Sequence, residues 1–194
     1  MKKHITVLLI ATLLLILGGC AGDDSSEYPL ISLNPYETYI CYAGYNEEAP
    51  VWKNALNAGT FFTSTPLYPI YKIESTDDLA AFRETMEPYL HLGSPAQSSP
   101  NFYHATRDCN DAYFADNALL VVYVCAPSGS YCYDVASVFI QNSSLEVSIN
   151  KNSGDGVGTD DMSGWFIILK VPKIDLVGVT TYNAGTWSKF NSNN

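Results

Sequence analysis

Two cysteines, Cys125 and Cys132, stand seven positions apart in "VVYVCAPSGSYCYDV", with Pro127, Ser128, Gly129 and Ser130 between them. Three kinds of chemistry use such a pair: thiol–disulfide exchange, metal binding and a structural crosslink. Exchange sites favour Cys-x-x-Cys at a helix start, where the thiolate is stabilised. Zinc takes four suitably spaced ligands. Neither pattern is present. If residues 127–130 form a four-residue hairpin loop, Cys125 faces Cys132. Directly opposite strand residues have Cβ atoms about 4.5–5.5 Å apart, and a disulfide then fits. Such a clasp would contribute roughly 2–3 kcal/mol on the chain-entropy account. Two readings lead, a clasped hairpin or two unpaired core thiols, with a redox or metal site third. With Cys20 set aside, four cysteines remain (Cys41, Cys109, Cys125, Cys132), an even number.

Other reactive side chains are scattered. Beyond the N-terminal segment the histidines are His91 and His104. Neither has metal spacing or a nucleophile motif beside it, and no Gly-x-Ser-x-Gly occurs. Ser128 and Ser130 read as turn residues. "NKNSGDGVGTDD", Asn150 to Asp161, is rich in acidic residues and glycine. It lacks the calcium-loop order of ligands, and its glycines do not join a strand to a helix as a phosphate cradle requires. It reads as a solvated turn. The expectation is a protein without catalytic residues, metal or cofactor. Tyr36, Tyr39, Tyr42 and Tyr45 crowd one short segment. They could stack on sugars or anchor a protein partner.

The N-terminus carries a different kind of chemistry. Lys2 and Lys3 precede an apolar run of 13 residues, Ile5 to Leu17. That is shorter than the roughly 20 residues a membrane span needs and fits a signal peptide over residues 1–19. Leu17-Gly18-Gly19-Cys20 resembles a bacterial lipobox, which implies cleavage before Cys20 and acylation of its thiol. Two acyl chains anchor stably where one is marginal. Residues 20–27 are small and acidic and read as a flexible tether. Loss of Lys2 and Lys3 leaves 8 basic against 20 acidic residues, net −12. Such a surface repels nucleic acid and anionic headgroups. The membrane is therefore expected to hold this chain through lipid alone, outside the cytoplasm, with no nucleic-acid partner.

The elements that would position these residues are mostly strands. Glu37–Tyr45 and Ile70–Glu74 read as strands, the first in an N-terminal extension over 28–65. "STDDLAAFRETMEPYL" reads as the main helix, about 75–90. Ser75 is its N-cap, and Leu79, Phe82, Met86 and Leu90 lie on one face. Asn110–Asn117 reads as one or two helical turns. "ALLVVYVCA" reads as a buried central strand. "YCYDVASVFIQ" alternates, with a bulge near Ala136-Ser137, and "SLEVSIN", "GWFIILKVP" and "GVTTYNAG" follow as strands. Short connections predict an antiparallel sheet. The fold class is α+β: a β-rich antiparallel sheet domain over 66–182 with one main helix packed on it, and a polar tail over 183–194.

The order "YFADNALLVVYVCAPSGS…YDVASVFIQNSSLEVSIN…TDDMSGWFIILKVPK" resembles the C-terminal domain of the PrcB family, lipoprotein subunits of a bacterial surface protease complex. The likeness rests on Tyr113-Phe114, Asn117 to Val122, the turn Pro127 to Ser130, Val138 to Ile149, and Asp161 to Lys173. It covers roughly residues 66 to 182. Cys125 and Cys132 depart from the family's pattern. The resemblance implies an accessory role, binding or stabilising another exported protein such as a protease, and carries over no catalytic residue. The surface expected to meet that partner comprises Pro127, Ser128, Gly129, Ser130, Asp160, Asp161 and Trp165. A carbohydrate- or envelope-binding module built on the tyrosines is the alternative.

Overall fold

The computed structural model describes residues 34–51, 53, 55–57, 67–97, 100–153 and 161–186. Seven strands form two sheets. β1 (Glu37–Tyr42), β2 (Ile70–Ile73), β3 (Asn117–Ala126) and β6 (Ser163–Pro172) make an antiparallel sheet in the order β1-β6-β3-β2. β4 (Tyr131–Gln141), β5 (Ser144–Ser153) and β7 (Thr181–Thr186) make a second, in the order β4-β5-β7. Three helices, α1 (Thr76–Met86), α2 (Phe102–Ala105) and α3 (Asp111–Asp116), cover the first sheet's other face. The β-rich α+β class read from the sequence is the one observed. Among the described residues no helix is long and apolar enough to cross a membrane.

The two-sided burial of the four-stranded sheet explains its sequence. Leu119, Val121 and Tyr123 of β3 meet Phe166 and Ile168 of β6 in the core beneath the helices. Leu120, Val122 and Val124 meet Ile167, Leu169 and the second sheet. A strand buried on both faces has no polar side to alternate. α1 contributes Leu79, Phe82 and Met86 to the helical core. Ser75 caps it by accepting from the Asp78 amide at 3.0 Å. The helix ends at Met86, short of Pro88, and Leu90 still reaches the core.

β4 and β5 form a hairpin. Its turn residues Asn142 and Ser143 have φ of 50° and 64°, the left-handed region that two-residue hairpin turns favour. The ladder slips between Val135 and Ser137, where a bulge was expected. The extra residue inverts the alternation, so Val135 and Val138 both face the core.

Three expectations need correction. Residues 127–130 do not close a hairpin. They carry the chain from the first sheet to the second, and Cys125 stands opposite Gly164 while Cys132 stands opposite Asn152. A strand has two edges, and β3 spends both on β2 and β6. β4 must therefore pair elsewhere, and both cysteines are free thiols. The second correction is that β7 runs parallel to β5; the chain reaches it only after crossing the first sheet as β6. β7 also continues to Thr186, past the expected start of the tail. Third, the strand expected within the 28–65 extension is part of the main sheet: β1 pairs with β6 along its whole length.

Candidate functional site

The expected lipidation site, Cys20, and one residue of the expected partner surface, Asp160, lie outside the described residues. The rest converge at one end of the main sheet. The Gly129 amide donates to Asp161 Oδ1 at 3.5 Å, and the Ser163 hydroxyl donates to the Ser128 carbonyl at 3.1 Å. Pro127 and Gly129 are exposed, whereas Ser128 is buried. The turn 127–130 thus packs on the entry to β6, which brings Trp165 alongside. The Trp165 indole N–H is buried without a partner. Its ring meets Tyr42 edge-on at 5.6 Å, and Tyr42 stacks on His91 at 6.0 Å.

Tyr42 ends β1, so this aromatic chain leads onto the sheet edge. The tyrosines do not share a flat face. Strand alternation places Tyr39 on the helical side, where Lys170 sits 4.8 Å over its ring. Tyr36 packs into the core between the sheets. Tyr39, Tyr42 and Tyr45 are exposed, but Tyr39 and Tyr42 point to opposite sides of the sheet. A stacking platform for sugars needs coplanar exposure, and this division removes the observation that would favour one.

Beside β1 lies a groove of about 420 Å³. One wall is Tyr39, Ile40 and Cys41. The other comes from α2 and its flanks: Pro100, Asn101, His104, Ala105, Arg107 and Asp108. This wall is not legible from the sequence, because α2 has a single turn. The available signal was Asn101, whose side chain caps α2 by accepting from the His104 amide at 2.9 Å and also donates to the Ser94 carbonyl at 3.1 Å. That buried side chain ties the 94–101 loop to the helix.

The groove holds a histidine, an acid and a cysteine, and each has its own surroundings. Cys41 is 4% exposed, and burial pushes its thiol up to about 12. Desolvation acts there with no stabilising cation, so thiolate is scarce at neutral pH. The His104 ring nitrogen Nε2 lies 3.3 Å from the Pro95 carbonyl. Arg107 and Asp108 pair with each other at 3.3 Å. On the helical side of β1, Glu37 accepts from the Tyr39 hydroxyl and pairs with Lys170 at 3.2 Å. The Tyr39 hydrogen bond, followed by Lys170, holds the Glu37 carboxyl below its usual range against a desolvation cost. Among the described residues no group of His, Cys, Asp and Glu is placed to hold a metal ion.

The main-chain edge of β1 is different. Among the described residues β6 is its lateral partner, and the opposite edge carries no backbone hydrogen bond. The far side of the sandwich is closed. Leu56 N–H donates to Ile70 O at 2.8 Å, and Asn57 bonds the backbone of Tyr68 and Ile70, which covers β2. Tyr68 N–H donates to Ala184 O at 2.8 Å and covers β7.

In comparisons with known proteins, no family model, curated protein or solved structure matches this chain.

Proposed function

We propose that this protein is a non-enzymatic, lipid-anchored surface protein that binds or stabilises another exported protein. The observation that carries the reading is the open edge of β1 beside the β1–α2 groove. An unpaired strand edge is a template for another chain and is normally covered or blunted. The resemblance to PrcB subunits points the same way and suggests a secreted protease as the partner. A lipid on Cys20 would hold the domain among envelope proteins and raise its effective concentration for them, so modest affinity suffices.

The test is photo-crosslinking in the native envelope from a reactive side chain at position 107, followed by purification through the tether. The expected result is one exported protein joined in near-stoichiometric yield, and less of that product when Cys20→Ala blocks acylation and cleavage. Turnover of a peptide, ester or glycoside by the purified protein, abolished by His104→Ala, would sink the proposal.

A further inference from the structure

We infer that the partner is captured by strand addition: an extended, net-basic segment pairs along the free edge of β1, with alternate side chains entering the groove between β1 and α2. This rests on the protein-binding reading and specifies its mode.

Three observations converge. The first is the hydrogen-bonding capacity that remains. Around the groove the polar side chains are engaged. Asn101 serves the Ser94 carbonyl and the His104 amide, Arg107 pairs with Asp108, and Glu37 is held by Tyr39 and Lys170. What lacks partners among the described residues is the outer backbone of β1. Its N–H and C=O groups recur at every second residue, a spacing that another extended backbone matches.

The second observation is that β1 is unprotected. "ETYICY" holds no proline, lysine or bulge, the devices that blunt an edge. The neighbouring edge strand β4 is broken by its slip at Ala136. β1 is the continuous edge, and α2 stands beside it as a second wall.

The third is chemistry along the walls. Tyr39, Ile40, Cys41, Pro100 and Ala105 make the interior of the groove largely apolar, while Asp108 and Arg107 sit exposed at its lip. A strand sends alternate side chains to opposite faces. Apolar residues at every second position would fill the groove, and the intervening ones would face solvent. At the groove the charges are paired, Arg107 with Asp108 and Lys170 with Glu37; the excess of 20 Asp and Glu over 10 Lys and Arg across the chain favours a net-basic partner and speeds encounter at low salt.

The experiment uses the full chain and a nine-residue peptide alternating valine and lysine. A control peptide carries N-methyl groups on alternate backbone nitrogens, which removes donors and keeps the side chains. Amide hydrogen exchange and titration calorimetry are read together. The plain peptide, at saturating concentration, is expected to slow exchange at alternate amides within Glu37–Tyr42 by about tenfold. The methylated peptide should bind at least about tenfold more weakly, and added salt should weaken the plain one. Equal binding of both peptides, no binding of either, or protection confined to other segments overturns strand addition. Protection of β1 that grows with protein concentration alone, with a doubled mass, overturns it in favour of a second copy as occupant. A partner that crosslinks in the envelope while β1 stays unprotected overturns this inference and leaves the protein-binding reading. Peptide pairing without any envelope partner does the reverse.

Discussion

The Tyr123 hydroxyl donates a hydrogen bond to the Gly44 carbonyl across 3.1 Å. It ties the middle of β3 to the segment that follows β1, and Gly164 of β6 lies against both groups. A Cβ at Gly164 would stand 2.2 Å from the Gly44 oxygen and 2.4 Å from the Tyr123 hydroxyl. The first contact is backbone and cannot rotate away. Gly164→Ala should therefore destabilise the fold by about 3 kcal/mol, the upper end for overpacking, whereas Tyr123→Phe should cost about 1 kcal/mol. Urea denaturation midpoints measure both; a near-neutral Gly164→Ala would contradict the register of β3 on β6.

The cysteines should react in a fixed order. Cys132 is exposed, and Cys41 and Cys109 are buried. Burial holds Cys125 at about 11 and Cys41 at about 12. In a Cys20→Ala chain, a thiol reagent should label Cys132 first in the native state and titrate four thiols in denaturant. A denatured count of two would show one oxidised pair and contradict four free thiols.

Alkali should unfold the protein by the same physics. The Cys41 thiol has an ordinary value of 9.0 and a folded value of about 12. Between these the unfolded chain binds fewer protons than the folded one, so stability falls as pH rises, by about 1.4 kcal/mol per unit for a fully shifted group. Tyr68 adds a second window from 10.0 to about 12, raised by burial and then by Cys125. Cys41→Ala should flatten the loss that begins near pH 9. Melting curves between pH 8 and 11 check the sign; stability rising over that range would refute it.

Two helix caps should separate fold from site. Ser75→Ala removes the acceptor for the Asp78 amide and should cost about 1 kcal/mol with peptide binding unchanged. Asn101→Ala loosens both α2 and the 94–101 loop. It should lower stability by a similar or larger amount and also weaken binding in the β1–α2 groove. Equal binding by the two variants would show that the α2 wall does not contribute.

Membrane retention should depend on Cys20. Cys20→Ala should yield an uncut precursor that takes up no labelled fatty acid. Incorporation of label by that variant would remove the lipid anchor from the proposal.

Much of the architecture is legible one segment at a time. Ser75 followed by Leu79, Phe82 and Met86 specifies a capped amphipathic helix, because the cap and the stripe are local chemistry. The unbroken apolar run from Ala118 to Val124 specifies a strand buried on both faces, and the β4 bulge shows as a broken alternation. Pairing is not local. β4 has the same period whether it joins β3 or β5, and only the occupation of both β3 edges by β2 and β6 decides between them. That choice moved Cys132 away from Cys125 and set β7 parallel to β5. The groove is tertiary for the same reason. Tyr39, Ile40 and Cys41 meet Pro100 through Asp108 because β1 lies at the sheet edge and Asn101 holds a one-turn helix against it. Sequence determined which segments are strands and which faces are apolar; the competition for strand edges, settled only when all seven are present, decided which backbone has no partner among the described residues.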